Sequence, residues 1–176
     1  MQDMMALVEP MIPSLRRYAR SLLRDQSAAD DLVQDCLERV ISRWHQRRSD
    51  GHPRTWVFTI LHNLAINRLK QSARRGVHLA VENVDEAAFA TPPAQEERLH
   101  HGAILDALSL LPEDQRSVLL LVSVEDLSYA ETASVLDIPI GTVMSRLSRA
   151  RHRLARLMDD GPGQSATVGT ALRSVK

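Results

Sequence analysis

The chain has 176 residues, with 22 basic and 22 acidic side chains and only 3% aromatic residues. Its single cysteine, Cys36, excludes a disulfide framework and a thiolate metal site built from this chain. No apolar run approaches the ~20 residues that a membrane span requires, and no basic-then-apolar signal pattern opens the sequence. We therefore expect a cytoplasmic protein that is not inserted in a membrane.

The neutral total is the sum of separate patches of charge. Residues 1–76 contain 13 Lys/Arg and 8 Asp/Glu, residues 77–99 contain 1 and 5, and residues 100–160 contain 6 and 9. In the last segment, every basic residue except Arg116 lies between Thr142 and Leu157. Such patches suit a protein that contacts several surfaces of different sign.

Residues 1–76, the N-terminal module, begin with two predicted helices. Pro13 to Leu23 is predicted as one helix, and Ser27 to Asp30 is similar to a capping box that opens the next. This second helix has a broad apolar face between Leu32 and Trp44, and its opposite side is polar and mostly acidic. A basic partner would complement that side, and a solvated helix face explains it too. The polar residues are Asp31, Gln34, Asp35 and Glu38.

A third helix follows a loop from His45 to Gly51, because Pro53 suits the first turn of a helix. It carries an apolar face that includes Trp56, which we expect in the core. Another side of the same helix is polar at spacings of four, four and three. The residues on that side are Thr59, Asn63, Asn67 and Lys70.

The composition changes between residues 77 and 99. Paired prolines, an acidic bias and the absence of a sustained apolar period predict an extended, flexible linker there. Residues 160–176 contain Gly161-Pro-Gly and are predicted to form a disordered tail.

Residues 100–159, the C-terminal module, are predicted to fold into four helices. Ile104 to Leu111 stops before Pro112, Glu113 to Val124 follows, and Ser128 caps Tyr129 to Leu136. After a tight turn, Pro139 starts a basic helix. A helix, a tight turn and a basic helix at this spacing predict a helix-turn-helix. With no strand pattern anywhere, the predicted fold class is all-α.

The basic helix has an apolar stripe beside a cationic one. The apolar stripe consists of Val143, Leu147, Ala150, Leu154 and Leu157. The cationic stripe consists of Arg146, Arg149, Arg153 and Arg156. A helix that packs on one side and carries guanidinium groups on the next is typical of proteins that bind a polyanion.

Both modules resemble the extracytoplasmic-function (group 4) sigma factors, which are small sigma-70-type initiation factors of bacterial RNA polymerase. The resemblance rests on ADDLVQD in the N-terminal module and LSYAETASVLDIPIGTVMSRLSRAR in the C-terminal one. It implies a sigma-2-like bundle joined by an acidic linker to a sigma-4-like helix-turn-helix. In this family the linker threads through the polymerase channels, although a plain tether would have the same composition.

The resemblance implies three partners: core RNA polymerase, promoter DNA and an anti-sigma factor. The ADDLVQD segment matches the side that docks on the β′ clamp coiled coil, and there we expect Asp31, Gln34, Asp35 and Glu38 to bind the core enzyme. Because two modules on a flexible linker are not fixed at the spacing of two promoter elements, we expect the free protein to bind promoter duplex poorly.

The segment RTWVFTILHNLAINRLK resembles the region that recognises and opens the −10 element. Amide side chains can bond the edge of a base once the base has left the stack. Many relatives have Asp at the position of Asn67, and the loop from Gln46 to His52 would hold the extruded base. The residues expected to contact the non-template strand are Asn63, Asn67, Arg68 and Lys70.

The helix-turn-helix resembles the module that docks on the −35 element. Near the helix start, Ser145 and Arg146 are expected to contact base edges, and Arg149 and Arg153 to bind phosphates. Thr142 completes the groove-facing set. Relatives often have Lys at the place of Met144, so promoter choice can differ here.

Two other classes of function compete with a sigma factor. A helix-turn-helix regulator that binds operator DNA as a dimer would explain the C-terminal module alone. A sigma mimic that sequesters an anti-sigma factor would explain both modules but not the arginine row. An enzyme has little support, because no metal-ligand spacing, glycine elbow or phosphate loop is found. We expect no cofactor, no small-molecule substrate and no catalytic activity.

Overall fold

A computed structural model describes residues 2–47, 51–74 and 104–159, and all regular structure in these ranges is helical. The predicted linker (77–99) and tail (160–176) lie outside the described residues, as do residues 48–50 of the predicted base-holding loop. The all-α prediction is confirmed.

Among its described residues, 2–47 and 51–74, the N-terminal module contains four α-helices and two short 3-10 turns, at Glu9–Met11 and Trp44–Gln46. The α-helices are α1 (Gln2–Val8), α2 (Ile12–Leu23), α3 (Gln26–Arg43) and α4 (Pro53–Arg74). Pro53 opens α4 as predicted, and α3 packs against both α2 and α4.

The predicted capping box at Ser27 is wrong. The N-cap of α3 is Asp25, whose carboxylate accepts a hydrogen bond from the backbone N–H of Ala28 at 2.8 Å. Arg24 ends α2 with a left-handed φ of 60°, which places Asp25 where α3 begins. An aspartate at this position also interacts favourably with the positive end of the helix dipole.

Residues 104–159 of the C-terminal module contain four helices. The structure describes residues 104–109 of the first, α5, and then α6 (Glu113–Ser123), α7 (Tyr129–Leu136) and α8 (Ile140–Asp159). Ser128 caps α7 as predicted: its hydroxyl accepts from the backbone N–H of Glu131, and the Glu131 carboxylate accepts from that of Ser128. Asp137 reverses the chain with a left-handed φ of 53° and leads into α8, the basic helix.

The core of the C-terminal module contains the apolar stripe of α8. Val143, Leu147 and Ala150 are buried against Leu111 and Val118, and Leu154 and Leu157 pack at the edge of this cluster. The predicted orientation of α8 is therefore confirmed, and its arginines lie on the outer side.

The two modules pack against each other, a contact that the sequence did not predict. Leu120 and Leu121 of α6, Leu127 and Val135 belong to the same buried cluster as the core of α1 to α4. In this arrangement, which we call the closed arrangement, α6 lies against α2 and α7 lies against α4. Buried apolar surface thus contributes to the contact between the modules.

Trp44 and Trp56 belong to the core, as expected from their apolar surroundings. Their rings meet edge to face with centroids 5.9 Å apart, and both are partly buried against the N-terminal core. This pair joins the end of α3 to the start of α4, on the two sides of the loop that is predicted to hold an extruded base.

Candidate nucleic-acid and protein interfaces

The outer side of α8 displays most of the predicted −35 set. Ser145, Arg149 and Arg153 are exposed, and Thr142 and Arg146 are half-buried. Within the helix, the Arg149 Nε donates a hydrogen bond to the Ser145 carbonyl at 3.2 Å. The set therefore shares one solvent-facing surface of the helix-turn-helix. To bind a phosphate, the Arg149 guanidinium would exchange its contact with the Ser145 carbonyl.

Arg146 differs from the other arginines of the set because it has an acidic neighbour in another helix. Its Nε lies 3.2 Å from Oδ2 of Asp114 in the first turn of α6. The pair is only partly shielded, with side-chain exposures of 27% and 47%. It orients the guanidinium at the start of α8, and a partner that offers a better acceptor can compete with it.

The predicted −10 set is divided by the structure. Asn63, Asn67 and Lys70 are exposed along one side of α4. Arg68 instead turns toward α3, where its guanidinium donates to the Ala28 carbonyl at 3.2 Å and lies 3.7 Å from Oδ2 of Asp31. In the closed arrangement Arg68 therefore joins α4 to α3, next to the predicted polymerase-binding residues.

The acidic side of α3 is open to solvent. Asp31, Gln34, Asp35 and Glu38 are all exposed, and the Gln34 amide donates to the Glu38 carboxylate at 3.3 Å. The C-terminal module packs on other helices, so the closed arrangement leaves this face available to a partner.

Sequence reasoning missed an apolar groove beside the acidic face. The groove encloses a cavity of about 60 Å³ between α1 and α3, and Ile41 at its rim is 55% exposed. Its apolar lining comes from α1, the first residue of α2 and α3, so no single amphipathic pattern indicated it. The lining residues are Met4, Met5, Val8, Glu9, Ile12, Leu37, Val40 and Ile41.

Sequence reasoning also missed the ionic contact between the modules, which centres on Glu125. Nε and Nη2 of Arg17 on α2 each donate to one carboxylate oxygen of Glu125 at 2.8 Å. Nη2 of Arg54 on α4 donates to the Glu125 carbonyl at 2.6 Å and lies 3.8 Å from its carboxylate. The Glu125 side chain is fully buried, and its hydrogen bond raises the pKa of the Arg17 guanidinium. Charge-assisted, two-pronged contacts of this kind are strong and directional.

Two further contacts cross the same boundary. Arg116 of α6 donates to the carbonyl of Leu22 at the end of α2, at 3.3 Å. The Thr55 hydroxyl lies 3.5 Å from Oε1 of Glu131 on α7. Hydrogen bonds from Ser128 lower the pKa of Glu131, which keeps this carboxylate ionised beside the start of α4.

His62 is the titratable side chain most affected by burial in α4. It is 9% exposed, and its Nδ1 shares a hydrogen bond of 3.0 Å with the hydroxyl of Tyr18. Burial lowers the pKa of His62 to about 4 and raises that of Tyr18. Both rings are therefore neutral in the folded protein, and this buried polar pair ties α2 to α4.

The described ranges contain neither a metal-binding cluster nor a membrane-spanning helix. Among residues 2–47, 51–74 and 104–159, no group of three or more His, Cys, Asp or Glu side chains could hold a metal ion. Within the same residues no helix is long and apolar enough to cross a bilayer.

Family models match both modules of the chain. Residues 8–62 match the Sigma2 domain of PhyR, and residues 101–154 match sigma-70 region 4. The first range covers α2, α3 and the start of α4, and the second covers the helix-turn-helix. The first match contains the acidic residues of α3 and ends just before Asn63, and the second contains the predicted −35 set.

Individual proteins are similar over most of the chain. The ECF RNA polymerase sigma factor EcfG of Rhodopseudomonas palustris is 35% identical over 150 residues, or 84% of this chain and 80% of the relative. The ECF RNA polymerase sigma factor SigM of Mycobacterium tuberculosis is 35% identical over 144 residues, or 82% and 71%. The sigma factor RpoE of Bartonella quintana, solved in complex with the anti-sigma factor NepR, superposes with a TM-score of 0.78 at 32% identity, covering 91% of this chain and 99% of that one. The chain belongs to the extracytoplasmic-function family of RNA polymerase sigma factors.

Proposed function

We propose that this sigma factor directs core RNA polymerase to promoters by binding a −35 element with its C-terminal module and a −10 element with its N-terminal module. The observation that carries the proposal is that one chain of this family displays an exposed arginine row on α8, an exposed amide row on α4 and an exposed acidic row on α3. Each row matches the chemistry of one partner.

At the −35 element, α8 enters the major groove with its N-terminal half. Ser145 and Arg146 contact base edges, because a guanidinium can bond the O6 and N7 atoms of guanine together. Arg149 and Arg153 bind phosphates on either side, and Thr142 completes the groove-facing set at the helix start. Arg146 exchanges its carboxylate partner, Asp114, for the base.

At the −10 element, α4 binds bases that have left the duplex. Asn63 and Asn67 offer amide groups to the exposed base edges of the non-template strand, and Lys70 neutralises a phosphate beside them. Arg68 reaches DNA only after it leaves Asp31, so its contribution to DNA binding depends on that exchange. The loop from Gln46 to His52 receives an extruded base, and this binding promotes melting.

Core polymerase binds the acidic side of α3. Asp31, Gln34, Asp35 and Glu38 contact the clamp coiled coil of β′, as the family resemblance implies. The chain functions in the cytoplasm with the polymerase, and the polymerase active site performs the chemistry.

An anti-sigma factor controls the protein. This part of the proposal is supported by the related RpoE of Bartonella quintana, which was solved in complex with an anti-sigma factor. Such a partner binds the two modules together and excludes core polymerase.

A sigma mimic is the second candidate, because the N-terminal module matches a family model named for the sigma-2 domain of PhyR. A mimic needs the surface that binds the anti-sigma factor but no surface for DNA. The exposed arginines of α8 and amides of α4 favour an initiation factor over a mimic. The operator-binding regulator is less favoured, because it leaves the N-terminal module without a role.

Core binding is tested by reversing one charge on the acidic face. Asp35→Lys should weaken binding of the full chain to purified core polymerase about tenfold or more, since a like charge then faces a basic surface. Asp106→Lys makes the same charge change at an exposed position of α5 and should leave the affinity for core polymerase unchanged. Equal affinities for the two variants would place polymerase elsewhere on the molecule.

A further inference from the structure

Two arginines of the N-terminal module share one acidic residue of the C-terminal module. Arg17 binds both carboxylate oxygens of Glu125 at 2.8 Å, and Arg54 binds its carbonyl and approaches its carboxylate. The Glu125 side chain is fully buried, whereas the Arg17 and Arg54 side chains are 35% and 39% exposed. The cations thus lie at the edge of the contact, and the anion lies inside it.

The two arginines lie next to the helix that is proposed to bind the −10 element. Arg54 is in the first turn of α4, and Asn63 and Asn67 follow further along the same helix. The start of a helix also carries partial positive charge. The acidic groups facing this end of α4, Glu125 and Glu131, both come from the C-terminal module.

The closed arrangement is too short to span a promoter. Elements centred near −35 and −10 are about 25 base pairs apart, or about 85 Å of B-DNA. In the closed arrangement α7 of the helix-turn-helix lies directly against α4. The DNA-facing helix α8 has 20 residues and is about 30 Å long, which is much less than the distance between the two elements. The modules must therefore separate before one chain binds both elements, and separation withdraws Glu125 from its two arginines.

We propose that Arg17 and Arg54 form an anion site, which Glu125 occupies in the free protein and a promoter phosphate occupies once the modules separate. The inference rests on the proposed function, because it takes α4 to lie on promoter DNA. Guanidinium groups bind phosphate with the same two-pronged geometry that Arg17 uses on the carboxylate. The internal carboxylate and the DNA phosphate then compete for one site, and DNA binding is coupled to opening.

The competition predicts that substitutions on the two sides of the ion pair change DNA affinity differently. Neutralising Glu125 frees the site and opens the protein, so binding to DNA rises. Neutralising the arginines also opens the protein but removes the site, so DNA binding does not rise. A purely structural ion pair would leave DNA affinity unchanged when Glu125 is neutralised.

The test uses the full chain and a random-sequence duplex with an unpaired central segment, because phosphate contacts do not depend on sequence. Small-angle X-ray scattering measures the radius of gyration, and fluorescence anisotropy measures DNA affinity over a range of salt. The variants are Glu125→Gln, Glu125→Gln with Arg17→Gln and Arg54→Gln, and Asp106→Asn. Asp106→Asn removes an exposed acidic charge elsewhere in the C-terminal module, on α5.

Glu125→Gln should increase the radius of gyration and strengthen DNA binding about tenfold, with a steeper dependence of affinity on salt. The triple variant should be as open but should bind DNA no better than the parent chain, and Asp106→Asn should match the parent in both measurements. Equal gains in the single and triple variants would overturn the anion site. An unchanged radius of gyration in Glu125→Gln would overturn its role in closure.

Glu125→Asp keeps the charge but is too short to reach both arginines, and it serves if Glu125→Gln fails to fold. Glu125→Asp should also increase the radius of gyration and DNA affinity, but by less than Glu125→Gln. Parent-like values of both quantities would overturn the proposal. Transcription by the parent chain with core polymerase is measured separately. If that transcription fails while Glu125→Gln gains arginine-dependent DNA binding, the proposed function falls and the anion site remains.

Discussion

Arg146 at the start of the basic helix α8 pairs with Asp114 at the start of α6, with Nε of the guanidinium 3.2 Å from Oδ2 of the carboxylate. The pair connects the DNA-facing helix to the scaffold behind it. Arg146 can therefore act in two ways, as a contact to a base or as a support for α8, and substitutions on the two sides of the pair separate these roles.

Arg146→Ala should lower promoter-specific transcription about 10- to 100-fold, because a guanidinium contact to a base pair contributes about 1–3 kcal/mol of discrimination. Its affinity for core polymerase should not change. Arg151→Ala removes an exposed arginine outside the cationic row and should have a much smaller effect.

Asp114→Asn removes the partner and leaves Arg146 in place. A half-exposed pair contributes at most about 1 kcal/mol to stability, so this variant should fold and should keep or increase its affinity for a −35 duplex in the presence of polymerase. Equal loss of transcription in Asp114→Asn and Arg146→Ala would show that the arginine acts only as a support.

Asn67 should determine which base is accepted in the −10 element. Asn67→Ala should slow the formation of the melted complex while binding at the −35 element persists, because the exposed amide no longer bonds an extruded base. Asn67→Asp exchanges a donor–acceptor group for an acceptor and should change the preferred base. Permanganate footprinting on promoters that differ at single −10 positions measures both effects, and an unchanged footprint in both variants would contradict the assignment.

His62 should make the protein less stable in acid. Its pKa is about 4 in the fold against an ordinary value of 6.5, so the unfolded chain binds the proton first as the pH falls. The contribution of neutral His62 to stability is complete above pH 6.5 and is lost progressively toward pH 4. The free energy of unfolding should fall by roughly 3 kcal/mol through this group. Urea unfolding at several pH values should show that the free energy of unfolding falls less steeply with decreasing pH in His62→Gln than in the parent chain. The Gln side chain cannot titrate but can still form a hydrogen bond with Tyr18. Parallel curves for the two proteins would disprove this origin.

Cys36 should be unreactive in the folded protein. Its Sγ is buried 3.8 Å from the Val57 carbonyl, and burial raises the pKa of the thiol to about 12. Since the thiolate is the reactive form, a thiol-specific reagent at pH 8 should label the native chain far more slowly than the urea-unfolded chain. Labelling at similar rates would show that α3 opens readily.

Local patterns in the sequence predicted most of the helices and their exposed faces. The apolar stripe of α8 packs as its spacing indicated, and Ser128 caps α7 because it lies next to an apolar run and three residues before Glu131. The same reasoning failed at Ser27, where Asp25 provides a better-placed carboxylate. Capping patterns identify the turn in which a helix begins, and competition between nearby acceptors decides the residue.

Contacts between distant segments were not predictable from local pattern. Arg17 and Glu125 are 108 positions apart, and neither lies in a motif, so their pairing depends on how the modules pack. Arg68 was assigned to DNA from the family resemblance, and its contact with Asp31 requires the packing angle between α3 and α4. Long-range side-chain pairs follow from tertiary structure, whereas periodicity records only which face of a helix is buried.

The central claim is tested most directly by run-off transcription with purified core polymerase, this protein and a library of promoter fragments. An initiation factor of this kind should give discrete transcripts that begin at a fixed distance from a shared −35/−10 pair and that disappear with Arg146→Ala. A protein that does not bind core polymerase and yields no promoter-specific transcript from any fragment would contradict an initiation factor and favour the operator-binding regulator or the sigma mimic.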